Sequence, residues 1–216
     1  MNHRMGIFVS LAMCAALGAD LPAGQARLPN PVSQAKQAAP APPVSVTTPL
    51  TTAQMTGKQA VIETTAGRIV IALLPAQAPN HVGYVIKLAQ EGAYNGTTFH
   101  RLIRHGIIQG GDPLSKDPAK TGQYGTGGLK MLAFEPGAGA HVRGAVSSVL
   151  VPGNRDSAGS QFFICVTPQA ALDGQYTVFG RVVDGMRVVD AIEKVPREGE
   201  APTTRIDLVR VRIERK

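Results

Sequence analysis

The sequence predicts a mainly β domain, an antiparallel barrel or sandwich with helices at its ends. Three observations predict it. Short apolar or β-branched runs recur between Gly-rich loops at 97–103, 107–110, 131–134, 143–151, 161–166 and 176–183. The stretch AVIETTAGRIVIALL holds two apolar runs around Thr65-Ala66-Gly67, a hairpin signal. Only two segments carry helical periodicity.

In chain order, the hairpin comes first, from Gln59. Pro79-Asn80 then opens a helix. Val82, Val85, Ile86 and Ala89 share one face, and Gly92 stops it. The short strands follow. A second helix is expected at 185–194, where Met186, Val189 and Ile192 recur at three-residue steps. A last strand is expected at 205–213.

The N-terminus reads differently. MNHRMG is followed by IFVSLAMCAALGA, a mostly apolar stretch too short to span a bilayer comfortably but of the length of an export-signal core. Residues 1–19 are read as a signal peptide or N-terminal anchor, with Ala16 and Gly18 as the small residues before a cleavage point. Either outcome sends the rest of the chain out of the cytoplasm, to a periplasmic or other extracytoplasmic site, and the anchor would tether it to a membrane. Residues 20–57 are rich in Pro, Ala, Gln and Thr and are read as a disordered linker. Residues 58–216 form the folded domain. Removing the leader removes Cys14 and leaves Cys165 alone, so no intrachain disulfide is expected. Cys165 lies in FFICV and reads as a small core residue.

The chain is basic, with a net charge of +7 and a pI near 9.7. The charge is spread out. Its densest stretch, with Arg210, Arg212, Arg215 and Lys216, alternates with Val, Ile and Glu like a strand with one solvated face. No nucleic-acid partner is expected. There is no P-loop, zinc finger or dinucleotide turn. Ser147, Ser148, Ser157 and Ser160 lack a nucleophile elbow. His100 and His105 lack acidic partners at metal-ligand spacing. No metal and no cofactor are expected. What remains is a binder, or an enzyme that needs no covalent step.

Residues 99–111, FHRLIRHGIIQGG, hold a contradiction. Ile103, Ile107 and Ile108 suit a buried strand, yet Arg101 and Gln109 sit among them. Strict alternation would put Phe99 and Arg101 on one side and His100 and Leu102 on the other. A polar group so placed must be paired or must face a partner.

FHRLIRHGIIQGGDP, then GSQFFICV, then LDGQYTVFGRVVDGM closely resemble the cyclophilin family of peptidyl-prolyl cis–trans isomerases, over roughly residues 59–214, in the manner of its exported bacterial members. The resemblance implies a closed eight-stranded antiparallel β-barrel capped by two α-helices, with the active site in a groove on its outer surface. It implies a monomer that works on proline-containing polypeptides. Arg101 matches the catalytic arginine. Gln109 matches the glutamine that holds it, and Phe163 the floor of the proline pocket. Ile107, Gln161, Leu172 and Tyr176 match substrate contacts, and Gly106 and Leu150 occupy contact positions. The implied function is acceleration of X–Pro rotation in exported proteins. The alternative is a peptide-binding module or chaperone of the same fold with little or no isomerase activity.

Several positions depart from the family pattern, which reads near FHR-x-x-P-G-F-M-x-Q. Gly106 replaces a pocket-wall Phe, Arg104 a Pro and Ile107 a Met. Leu150 and Val151 stand where a small residue and a polar contact are usual, and Ala171 where a rim aromatic is usual. Losing one aromatic wall removes about 1.5–3 kcal/mol of burial if nothing fills the gap. Leu150, larger than usual, is expected to fill part of it.

Overall fold

In this computed structural model, residues 45–137 and 139–216 are described. The hairpin forms as expected. Strand β1 (Lys58–Thr64) pairs with β2 (Gly67–Leu73) through a two-residue turn, with Gln59 opposite Ala72 and Thr64 opposite Gly67. Next come β3 (Phe99–Leu102), β4 (Ile107–Gly110), β5 (Ala145–Ser148), β6 (Phe162–Cys165) and β7 (Val178–Asp184). A two-residue pair, β8 (Arg197–Glu198) and β9 (Ala201–Pro202), stands apart, and β10 (Leu208–Arg215) ends the chain.

Eight strands make one antiparallel sheet in the order β10-β1-β2-β7-β5-β6-β4-β3. The expectation of a closed barrel holds only in this coarser form. The strand ladders leave β10 and β3 as edges. What joins those edges is an isolated bridge, Thr98 to Asp207, and backbone hydrogen bonds from Leu208 to Thr97 (2.7 Å) and from Phe99 to Ile206 (3.0 Å). The run 131–134, expected as a strand, contributes only a single bridge, Leu132 to Ala158. The Met131 and Leu132 amides both go to Ala158 O, and beyond them Ala133 donates to Ser45 Oγ and Phe134 to Asp156 Oδ1.

The core follows from alternation. Ile62, Ile69, Ile71, Ile108, Val146, Ile164 and Phe179 point to one side of the sheet and form one buried cluster. Helix α2 (Pro79–Gln90) buries Val82, Val85, Ile86, Leu88 and Ala89 and packs on β7 and β10. Helix α3 (Met186–Glu193) buries Val189 and Ile192 and packs on β2 and β4. Both helices fall where the periodicity put them.

The expected linker ends earlier than residue 57. A one-turn helix, α1 (Thr52–Met55), carries Met55 fully into the core, and Leu50 packs against the same cluster. The Val46 amide donates to Met131 O, and the Thr48 amide to Asn80 Oδ1. Composition hid this, because one buried Met and a few backbone hydrogen bonds anchor a segment otherwise polar and Pro-rich. The leader and residues 20–44 lie outside the described residues. Among the described residues, no helix is long and apolar enough to cross a membrane.

The start of α2 lacks a capping side chain on its own N-cap, Ala78. Glu135 supplies one from a distant loop. Its carboxylate accepts the Asn80 and His81 amides, both at 2.9 Å, and His81 Nδ1 at 2.6 Å. Anionic oxygens there satisfy orphan amides and complement the helix dipole. Burial alone would raise this carboxyl's pKa, but the hydrogen bonds from His81 and the two amides outweigh it and hold it below the usual range. The stabilisation is therefore fully present above the unfolded value near 4.5 and is lost as pH falls through the lower folded value. Glu135→Ala is expected to lower unfolding free energy by about 1–3 kcal/mol in denaturant titration at neutral pH. The gap from wild type should shrink as pH falls below 4.5.

Candidate active site

The contradiction in FHRLIRHGIIQGG is resolved by a bulge, not by alternation. Phe99 pairs with Gly110 and Arg101 with Gln109, so His100 is an extra residue without an opposite number. Phe99 and Leu102 therefore both enter the core, each at 0 % exposure, while Arg101 turns out of it. Strict alternation would keep Phe99 and Arg101 on one side. The bulge separates them, so the core keeps its Phe and the outer face gains a guanidinium. His100 is buried beside it, and burial holds its pKa below the usual histidine range.

The guanidinium is held by a one-way chain of hydrogen bonds. Arg101 Nη1 donates to Gln109 Oε1 (3.1 Å), Gln109 Nε2 to Gln161 Oε1 (3.0 Å), and Gln161 Nε2 to Gly127 O (2.7 Å). Arginine only donates, so Gln109 must present its oxygen, and each amide then passes a donor onward until a carbonyl ends the row. Asp112, fully buried, fixes that carbonyl's loop by accepting the Gly125 and Gly127 amides at 2.5 and 3.3 Å. A Cβ on Gly127 would lie 2.3 Å from Asp112 Oδ1, so only glycine permits this approach.

An apolar cluster lies beside this chain on the outer face of β4 to β7. Ile107, Ala145, Phe163, Cys165 and Val178 are buried there, beneath the partly exposed Ile103, Val149, Leu172 and Tyr176. Phe163 is braced by two rings. His141 stacks on it at 5.9 Å and 17°, and Tyr176 meets it edge-on at 5.6 Å and 84°. His141 is fixed in turn by Asp173 Oδ1 at Nδ1 (2.8 Å) and by Ser147 Oγ at Nε2 (3.0 Å). The amide and ring of His141 hold the Asp173 carboxyl below its usual range. Ser147, His141 and Asp173 have the order of a nucleophilic triad. Ser147 is fully buried, however, and its hydroxyl donates to Thr177 O at 2.7 Å, so the row is a brace. Burial pushes the Cys165 thiol up to about 12, which keeps it inert.

Arg101, Gln109, Ile107, Phe163, Leu172 and Tyr176 are thus brought onto one face. Gln161 and Gly106 lie below the surface, Gln161 at 0 % exposure, and Gln161 spends both ends of its amide on the chain. Leu150 is elsewhere: with Pro152, Arg155, Gln175 and Tyr176 it lines a separate hollow of about 400 Å³. Ile103 stands beside Gly106 and packs against the same cluster. A Cβ at position 106 would come within 2.8 Å of Ile103 Cγ2. Sequence reading missed Ile103, His141 and Glu200, whose carboxylate accepts Arg101 Nε at 2.6 Å. Only Ile103 left a signal, as the large neighbour of a glycine where bulk was expected.

The family model for cyclophilin-type peptidyl-prolyl cis–trans isomerases matches residues 60–213. The chain belongs to this family. A Neurospora crassa peptidyl-prolyl cis–trans isomerase-like protein is 35 % identical over 156 residues, covering 72 % of this chain and 93 % of that protein. A Helicobacter pylori peptidyl-prolyl cis–trans isomerase is 37 % identical, covering 62 % of this chain and 80 % of its own length. A cyclophilin-type isomerase of Cryptosporidium parvum, crystallised in the presence of the dipeptide Ala-Pro, superposes with a TM-score of 0.66 at 27 % identity, covering 73 % of this chain and 99 % of that one.

In this cyclophilin Ile103 packs against the Phe163 cluster beside Gly106. Ile103→Ala removes three carbons from a partly exposed side chain, a loss of about 1 kcal/mol of apolar contact, and KM for an X-Pro peptide should rise about five-fold with kcat little changed.

Proposed function

We propose that Arg101 is the electrostatic catalyst of X–Pro rotation and that the proline ring rests on the apolar face over Phe163. The observation that carries this reading is the hydrogen-bonded row that aims a half-exposed guanidinium beside that face. Rotation is opposed by amide resonance, a barrier of about 18–20 kcal/mol. In the twisted state the C–N bond is single and the proline nitrogen carries a lone pair. A catalyst must favour that state over both planar ones. Arginine has five N–H donors, always charged and fixed in one plane. One is held by Gln109 and one by Glu200, which leaves the rest to anchor the proline carbonyl and to donate toward the nitrogen as its lone pair develops. No proton moves and no bond to the enzyme forms. Ile107, Leu172, Ile103 and Tyr176 hold the ring still while the acyl side turns. Tyr176 also borders the Leu150 hollow, which suits the residue before proline.

We also propose that the chain acts as a monomer on exported polypeptides. The charged start and short apolar stretch of residues 1–19 support export.

The test is the cis-to-trans rate of an X-Pro peptide. Wild type should exceed the uncatalysed rate, and Arg101→Ala should lose about 10²–10³ of kcat/KM while melting at the wild-type temperature. A wild-type rate equal to the uncatalysed one would leave a binding module. Full activity in Arg101→Ala would remove Arg101 from the mechanism. Cell fractionation should find the protein outside the cytoplasm; finding it wholly within contradicts export.

A further inference from the structure

We propose that Glu200 is a positioning residue for Arg101, holding its Nε edge so that the remaining donors face the proline amide. The inference rests on the reading of Arg101 as the catalyst.

Glu200 is built into place from two directions. Its carbonyl accepts the amide of Leu102, the residue next to Arg101, at 2.7 Å. Its side chain accepts Arg101 Nε at 2.6 Å. It sits in the turn of the small β8–β9 hairpin, where Glu198 pairs with Ala201. Gly199 makes that turn with φ +59, and Arg197 Nε donates to its carbonyl at 3.1 Å. The backbone bond thus ties the hairpin to β3 and keeps the Glu200 carboxylate within reach of the guanidinium.

The geometry also says what this contact does not do. Both side chains are about half exposed, at 42 and 52 %. Ion pairs this wet add little to stability. Their effect is on direction. An arginine on a strand edge has several free torsions. Gln109 restrains one Nη and leaves the plane able to swing about that bond. A second acceptor at Nε, on another edge of the same plane, fixes it. Without it, Arg101 has room to turn into the adjoining hollow of about 480 Å³, lined by Thr121, Tyr124, Pro202 and Arg205.

The experiment compares wild type, Glu200→Ala, Glu200→Gln and Arg101→Ala with an X-Pro peptide, together with the Nε–H NMR signal of Arg101. Glu200→Ala should lower kcat about ten-fold, leave KM within about two-fold, keep the melting temperature, and lose the protected Nε–H signal. Glu200→Gln keeps an acceptor oxygen and should recover most of kcat. Glu200→Ala with wild-type or higher kcat overturns the proposal. Glu200→Gln no better than Glu200→Ala also overturns it, since the effect would then be one of charge and not of direction. Arg101→Ala separates the two readings: if it is inactive while Glu200→Ala is not, only the inference about Glu200 falls; if it is fully active, the reading of Arg101 falls.

Discussion

A guanidinium must stand out of a strand whose neighbours belong in the core, and the site depends on how that is done. The bulge at His100 does it by adding one residue to β3 opposite β4, so that Phe99 and Leu102 stay inside while Arg101 turns out. The exposed charge then needs a fixed direction. Gln109 holds one Nη of it, and Gln109 can do so only because Gln161 takes its amide and Gly127 takes Gln161's. Asp112 holds the Gly127 loop from below. Each member is set by the one behind it, so one edge of a surface arginine is anchored through the row to a fully buried aspartate.

The apolar half of the site is organised by a different economy. Strands β4 to β7 have two apolar faces, one for the core and one for the outer cluster around Phe163. Both faces are packed, and the His141 and Tyr176 rings brace Phe163 from two sides. Within that frame, Gly106 gives up a side chain and Ile103 packs beside it. His105, between them, sits in the left-handed region at φ +53, in a turn closed by the Gly106 amide on Ile103 O. The turn is tied to α3 by the His105 amide, which donates to the buried carboxylate of Glu193 at 3.0 Å.

Much of this was legible in the sequence, and the remainder was hidden for identifiable reasons. Both long helices and most strands follow from periodicity, because each has one face to bury. Arg101, Gln109 and Phe163 stand out because the stretches that carry them resemble the family's motifs. The bulge was not legible, since one inserted residue leaves no mark in a four-residue strand. The segment 45–57 reads as linker because its anchors are backbone amides and one methionine. Glu200 and His141 act across 99 and 32 residues of chain, to Arg101 and Asp173, and no local pattern announces such partners. That β3 and β10 meet only through a few bonds near Thr98 and Asp207, without a ladder, is likewise a matter of where two edges meet.

The central claim is that an X–Pro substrate lies across one face, with Arg101 on its amide and Phe163 under its ring. A crystal structure of the protein with a bound X-Pro peptide tests it most directly. The account predicts the proline ring over Phe163 and Leu172, with Arg101 Nη atoms within hydrogen-bonding distance of the proline carbonyl and Gln109 still bonded to Arg101. A peptide seated instead in the hollow beside Tyr124 and Arg205, with its proline out of reach of Arg101, would contradict it.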